Sequence, residues 1–250
     1  LWLLEVQAKE SNMSSEVEHL DSISSFYERG DAMDELMIDR EIDLIKRYPI
    51  DGKSALEVGC GSGSCTERLS EIFSDMEVVE PSRKNIELLR RRLPNMLCHE
   101  ALLEDVDLER KFDYVFFLNV LEHVEDPVDS LQYLEKLVKH EGLIFISVPN
   151  CMSLNRRAGY KMGMLEHYEE LSAKDIEVGH RRLYTVDMLN DHCERAGLKL
   201  LDIKGIYLKP LSERQMLELG EGAVRAFLEL GEDIPQYCAS LFAVATKKFY

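Results

Sequence analysis

A short apolar run, Ala55 to Val58, leads straight into Gly59-Cys-Gly-Ser-Gly63, and a helical pattern opens at Ser64. A second apolar run, Met76 to Val79, ends on a carboxylate, Glu80. Strand, glycine turn, helix, strand and acid is the order of a βαβ unit whose turn receives a ligand. At Gly59, Gly61 and Gly63 the missing side chains let a ligand and a helix N-terminus come close together. The dinucleotide fingerprint places a further glycine where this chain has Ser64, to pack helix against strand beside a pyrophosphate. Its absence favours a ligand without a pyrophosphate. Glu80 lies 21 residues past Gly59, close to the ~20 expected of an acid that binds a ribose. A carboxylate there accepts hydrogen bonds from both ribose hydroxyls and repels a 2′-phosphate. These residues predict a nucleoside site.

The rest of the chain supplies the scaffold for such a unit. Residues from about 16 to 48 are helical in pattern, with Met33, Met37, Leu44 and Tyr48 at helical spacing and Ile38, Ile42 and Ile45 likewise. Pro49 and Gly52 stop that helix. Apolar runs then alternate with amphipathic helices: Ala55–Val58, Met76–Val79, a weaker Met96–Cys98, Tyr114–Leu118 and Leu143–Val148. This is the signature of parallel strands with crossover helices, apolar on both faces as in a sheet covered on both sides. Ser64-x-x-Glu67 reads as a capping box, Ser82 as the cap of the helix carrying Ile86, Leu89 and Leu93, and Asp126-Pro127 as an N-cap pair. Gly142 is expected just past that last helix. Thr185 to Ala196 reads as a helix ended by Gly197, while Leu198–Ile206 and Leu241–Thr246 are β-like with a helical stretch at about 211–230 between them. The expected organisation is a helical arm over residues 1–50, then one α/β domain over 51–250. Residues 150–182 and 207–238 form late, largely helical insertions on the substrate side.

Bulk properties narrow the partners. A formal charge of −17 over 250 residues argues against nucleic acid, which needs a basic surface to release counterions. Six scattered cysteines without a C-x-x-C pair give no disulfide or metal framework. No apolar run approaches a membrane span, and Leu1-Trp-Leu-Leu4 is too short and lacks the basic leader of a signal segment. The expectation is a soluble cytoplasmic protein, with Met13 as an internal start candidate.

With these residues in view the chain resembles the class I S-adenosylmethionine-dependent methyltransferases, closest to their ubiquinone-biosynthesis-like small-molecule branch. The resemblance runs over most of residues 26–200. It is carried by Leu56-Glu-Val-Gly-Cys-Gly-Ser-Gly63, Val79-Glu-Pro-Ser82 and Phe112-Asp-Tyr-Val-Phe-Phe-Leu-Asn-Val-Leu-Glu-His-Val-Glu-Asp-Pro127. Gly142-Leu-Ile-Phe-Ile-Ser-Val-Pro-Asn150 and Gly179-His-Arg-Arg-Leu-Tyr-Thr185 extend it. It implies a Rossmann-like α/β fold: a seven-stranded, mostly parallel sheet with helices on both faces and one antiparallel strand. It also implies S-adenosylmethionine across the carboxyl ends of the first, second and fourth strands. By motif, Gly59, Gly61 and Gly63 would face the methionine portion beside Glu57, and Glu80 with Pro81 the ribose. Leu102 and Leu103 would flank adenine, although Glu100, Glu104 and Asp105 compete for that strand end. Asn119 would lie near the methionine amino group, and Tyr27, with Phe26, would cover the cofactor from the arm.

Methyl transfer is an in-line displacement at an already activated carbon, so the protein positions the acceptor and removes its proton. Glu122-His123 follows the fourth apolar run, at the strand ends where open α/β sheets bind ligands. Histidine titrates near working pH, which makes His123 a base candidate, and His180, beside Arg181, Arg182 and Tyr184, a second one. The plainer alternatives are that these groups stiffen a turn or start the Thr185 helix. Some related O-methyltransferases hold a divalent cation with Glu-x-x-Glu-His. Asn119-x-x-Glu122-His123 lacks the first carboxylate, so no metal is expected. Arg156, Arg157, Arg181 and Arg182, with Tyr184, are candidates for holding a carboxylate or phosphate on an anionic acceptor, or else surface ion pairs. The favoured reading is O-methylation of a small molecule. Nitrogen or carbon acceptors of the same fold, a noncatalytic S-adenosylmethionine-binding protein and an NAD-dependent oxidoreductase are the alternatives.

Overall fold

The structure, a computed structural model, describes residues 17, 18, 20–24 and 32–248. Among these, seven strands form one sheet in the order β3-β2-β1-β4-β5-β7-β6. They are β1 (Ser54–Val58), β2 (Asp75–Val79), β3 (Leu97–His99), β4 (Phe112–Leu118), β5 (Val138–Pro149), β6 (Leu198–Ile206) and β7 (Ser240–Lys247). All pairings are parallel except those of β7, which runs antiparallel to both β5 and β6. The expected Rossmann-like sheet with its one reversed strand is therefore present. The strand order reverses between β1 and β4, and a crevice at their carboxyl ends is the standard ligand position in such a sheet.

Alternation along the strands divides the core into two layers. Leu56, Val58, Val115, Phe117, Ile144 and Ile146 face one side. There they meet Leu131 and Leu134 of α4 (Pro127–Leu137) and Leu189 and Cys193 of α7 (Val186–Arg195). Ala55, Val78, Tyr114, Phe116 and Phe145 face the other. That side is covered by α1 (Ala32–Ile45), α2 (Ser64–Ser70) and Leu89 of α3 (Arg83–Arg92). Helix α1 buries Met33, Ile42, Leu44 and Ile45, each stabilising the docked arm by about 1.5–3 kcal/mol. Arg68 of α2 ties the same helix down through Asp39 at 2.8 Å and Glu35 at 2.6 Å. The arm is thus fixed across the sheet beside the crevice.

The local signals mostly hold. Ser82 accepts from the Asn85 amide, Asp126 from the amides of Val128 and Asp129, and Thr185 from Met188, each heading its expected helix. The Ser64–Glu67 capping box does not form. Gly63, at φ 79°, is the N-cap, and the Ser64 hydroxyl instead donates to Glu35 at 2.7 Å and accepts from Arg68. Gly142 does not end a helix: α4 stops at Leu137 and β5 begins at once. Gly142 lies inside β5, where a Cβ would stand 2.7 Å from the carbonyl oxygen of Asp113. The helical stretch near 211–230 is two helices, α8 (Glu213–Glu218) and α9 (Glu221–Gly231), broken at Gly220. Residues 150–182 carry α5 (Leu154–Lys161) and α6 (Ala173–Glu177).

Candidate active site

The turns after β1 and β4 touch. Gly59 has φ +80°, and a Cβ there would lie 2.6 Å from Cγ2 of Val120, so only glycine lets the two loops close on each other. Gly61 and Gly63 also hold positive φ. The Glu80 carboxyl, 3% exposed, reaches back under this loop. Its Oε2 accepts from the Cys60 amide at 2.9 Å, and its Oε1 from the Ser82 amide at 2.8 Å and Asn85 Nδ2 at 3.3 Å. Burial raises its pKa, while those donors pull the other way. The acid at the end of β2 is therefore oriented by the glycine loop on one side and the head of α3 on the other. Asp21, in the described part of the N-terminal segment, accepts from the Ser82 hydroxyl at 2.6 Å and so sits against the same strand end. Tyr27 and Phe26 lie outside the described residues.

Asn119 follows β4 with φ 54° and donates its amide to the Ser147 carbonyl at 3.0 Å and to the Ser147 hydroxyl at 3.1 Å. Its side chain points to Glu41 of α1, with Nδ2 3.5 Å from Oε1. Glu57 of β1 shares the sheet face of Ala55, and its Oε2 is buried without a hydrogen-bond partner. Leu103 is buried and Leu102 half-buried in the turn after β3, where the Leu102 carbonyl accepts from Asp105 and Val106. Pro81 is half-buried beside Glu80, and Glu100 is exposed and pairs with Arg83.

Beyond Asn119, residues 179–182 lie alongside residues 121–125. The Arg181 amide donates to the Glu122 carbonyl and its Nε to that of His123. Arg182 donates to the carbonyls of Leu121, Val124 and Glu125. This brings His123 and His180, 57 residues apart in sequence, to a ring separation of 4.9 Å. Nδ1 of His123 lies 3.1 Å from the Gly179 carbonyl, which can only accept, so Nδ1 carries the hydrogen and Nε2 is the basic nitrogen. Nδ1 of His180 likewise faces Asp175 at 3.1 Å, and its Nε2 lies 3.9 Å from Glu122 Oε1. Glu122 is 1% exposed, and burial pushes it up to about 7. Glu122, His123 and His180 each place one ligand atom within 4.8 Å of the others.

The other acceptor candidates divide. Arg156 is spent on the carbonyls of Tyr168 and Glu170, and Tyr184 is fully buried with its hydroxyl 3.4 Å from the Leu121 carbonyl. Arg157 stacks over Tyr168 and Tyr237 in the late insertions. Two residues of consequence were missed in sequence. Glu41 stands in the apolar stripe Ile38-Glu41-Ile42-Ile45, which was the available signal. Asp175 closes a Ser172-x-x-Asp175 capping box, which signals a helix start and nothing about His180.

Three buried carboxyls give a pH signature. Burial pushes Glu41, Glu57 and Glu122 each up to about 7 from an ordinary 4.5. Their contribution to stability is complete below pH 4.5 and is lost as the pH rises through about 7, up to ~3 kcal/mol each. Asp175, which burial would raise but His180 and Ser172 hold down at about 2, has the opposite sign and matters only in acid. Thermal unfolding of the ligand-free chain should therefore show Tm falling by several degrees between pH 5.5 and 8. A flat or rising Tm would mean these carboxyls are solvated.

A doubly wound sheet with a glycine turn at its switch point and a caged acid at the next strand end defines a nucleoside-binding α/β protein. The sequence profile of the methyltransferase-domain family matches residues 32–203, and the chain belongs to that family. It is an S-adenosylmethionine-dependent methyltransferase. The ubiquinone biosynthesis O-methyltransferase of Haemophilus ducreyi is 26% identical over 176 residues, 65% of this chain and 72% of that one. That of Coxiella burnetii is 29% identical over 173 residues, 66% and 72%. A methyltransferase structure from Thermotoga maritima superposes with a TM-score of 0.61 at 18% identity, covering 90% of this chain and 95% of that one. The Bradyrhizobium japonicum N-methyltransferase in complex with S-adenosylhomocysteine gives 0.57 at 12%, covering 92% and 100%. Among the described residues no helix is long and apolar enough to cross a membrane.

Proposed function

We propose that the chain methylates a hydroxyl of a small molecule, a phenol or quinol in first place, with His123 as general base. The observation that carries this is the fixed tautomer of His123 at the carboxyl end of β4, beside the buried carboxyl of Glu122. The relatives' role in ubiquinone biosynthesis supports oxygen as the acceptor atom and a small acceptor. The strand ends fit the methyl donor: Glu80 offers carboxylate oxygens to a ribose, and Glu57 carries an orphaned oxygen. Bound S-adenosylmethionine supplies a methyl group on a sulfonium whose sulfur leaves with the bonding pair. Nε2 of His123 takes the acceptor's proton as its oxygen attacks, and Glu122 stabilises the imidazolium so formed. Asp175 holds His180 in register behind it. Arg157 is the arginine left to meet an anionic acceptor group, whereas Arg156, Arg181 and Arg182 brace the loops that form the chamber. Residues 20–24, anchored through Asp21, act as a cover on the nucleoside side, and the cytoplasm is the compartment this chemistry fits.

A second reading is favoured by the convergence of Glu122, His123 and His180. Two imidazoles and a carboxylate, the imidazoles oriented through their other nitrogens by a carbonyl and a carboxylate, fit zinc or a similar divalent ion. Such an ion would lower the pKa of an acceptor hydroxyl held against it. One assay separates the two. Transfer of labelled methyl to a panel of catechols, sugars and amines is expected for catechols, and it should survive dialysis against a chelator. Loss of activity restored by zinc or magnesium would replace the base with the cation. A protein that binds the donor and labels no acceptor would be a noncatalytic binder.

A further inference from the structure

Tyr207 follows β6 with φ 64°, and among the described residues it and Asn119 are the two non-glycines held in the left-handed region. β6 runs parallel to β5 through the reversed strand between them, and the register lines up Ile206, Ser240 and Pro149. Tyr207 therefore stands at the same end of the sheet as Asn119 and the crevice. Its surroundings fix it there. The Tyr207 carbonyl accepts from the Ala239 amide at 2.8 Å, and the next amide, of Leu208, donates to the Phe227 carbonyl of α9 at 3.0 Å. Gly205 lets this strand end close on α9, for a Cβ there would collide with the Gly231 carbonyl oxygen. Tyr207 belongs to the core layer covered by α1, with Met33 of α1, Met216 of α8 and Leu228 of α9. It is 1% exposed, and its hydroxyl is buried with no hydrogen-bond partner. Tyr114 and Tyr184, likewise buried, give theirs to the carbonyls of Pro49 and Leu121. A phenylalanine would fill the same space without a stranded hydroxyl, which destabilises a fold when it has no partner. A second orphan borders this turn. Asn155 of α5, whose amide donates to the Lys209 carbonyl at 3.0 Å, keeps Oδ1 buried and unpartnered.

We propose that the Tyr207 hydroxyl recognises a second oxygen on the methyl acceptor, remote from the one methylated, and so sets which acceptors are taken. This rests on the methyl-transfer reading of the site. Three strand spacings, about 14 Å, separate the ends of β4 and β6. A tyrosine side chain at one end and a reacting oxygen beyond β4 at the other leave the span of one aromatic ring with a polar substituent. A carbonyl, ether or hydroxyl oxygen on that substituent accepts the Tyr207 O–H. Burial and nearby Glu213 push the phenol's pKa up, so it stays a donor across the working range. Asn155 Oδ1 offers the complementary acceptor on the adjoining helix. Met33 and Met216, unbranched and flexible, give way as the acceptor enters. An acceptor lacking the second oxygen leaves the hydroxyl stranded and gains nothing at this end.

Tyr207→Phe removes the hydroxyl and nothing else. Its Tm should equal that of the unmodified chain or exceed it by up to a few degrees, because no internal bond is lost. Its affinity for S-adenosylhomocysteine should be unchanged. Titration calorimetry of the full chain loaded with S-adenosylhomocysteine reads recognition without turnover, with catechol and protocatechualdehyde as probes. The aldehyde adds one carbonyl oxygen across the ring. The unmodified chain should bind it about tenfold more tightly than catechol, the scale of one hydrogen bond, and the variant should bind the two alike. Equal affinities in the unmodified chain, or an undiminished preference in the variant, would overturn the role of Tyr207 and leave methyl transfer standing. So would a variant that melts several degrees lower, since its hydroxyl would then have had a partner inside the fold. A chain that binds neither phenol, with or without S-adenosylhomocysteine, would overturn the phenol reading of the acceptor together with this one.

Discussion

His123→Gln should lower kcat by about 10²- to 10⁴-fold, the usual contribution of a positioned general base, while the affinity for S-adenosylhomocysteine stays within about twofold. Glutamine retains an amide N–H that can reach the Gly179 carbonyl, so the contact that aligns the loop survives and only the titrating nitrogen is lost. The defect should shrink as the acceptor becomes more acidic, because an acceptor that ionises in water needs no base. The rise of rate with pH that belongs to the histidine should also vanish. Recovery of rate with added divalent metal would instead assign the residue to a cation site. Assays with a graded series of phenols, read as kcat and KM separately, distinguish these outcomes. Equal loss across the series would remove His123 from proton transfer.

Glu80→Gln should raise the dissociation constant for S-adenosylhomocysteine about 100-fold with the fold retained. The carboxylate has to accept from two backbone amides at once, those of Cys60 and Ser82, one on each oxygen. A glutamine amide offers one acceptor and one donor, so one backbone N–H is left facing another N–H, and a ribose hydroxyl loses its acceptor. Turning one oxygen into a donor and neutralising the other weakens both ribose contacts, at about 1.5 kcal/mol each, which accounts for ~3 kcal/mol, or about a hundredfold. Circular dichroism alongside calorimetry separates folding from binding. Unchanged affinity would mean that Glu80 braces the glycine loop and nothing more.

The strands and their parallel sense were readable in the sequence because β1, β2, β4 and β5 are apolar on both faces and their connecting helices carry side-chain caps at Ser82 and Asp126, whereas the order of the strands was not. The glycine turn and its acid were readable because both are local, 21 residues apart. What misled was a local signal overridden by distant partners. Ser64 and Glu67 have the spacing of a capping box, yet Glu35, 29 residues earlier, takes the Ser64 hydroxyl. The pairing of His123 with His180 could not be read, because it depends on Arg181 and Arg182 donating to carbonyls of a loop almost 60 residues upstream. Glu41 was visible only as an acid on an apolar helix stripe, and its meaning came from where α1 docks.

The reversed strand β7 has a consequence for how the chain is made. Residues 240–247 lie between β5 and β6, so β5 keeps one edge uncovered through the synthesis of everything from Asn150 onward. The nucleoside-binding half of the sheet is by then already available to form. An open edge rich in Ile144, Phe145 and Ile146 is a template for pairing with other chains. A nascent chain stalled before residue 240 would therefore be the aggregation-prone species, and ligand binding to its finished half offers the growing polypeptide early protection.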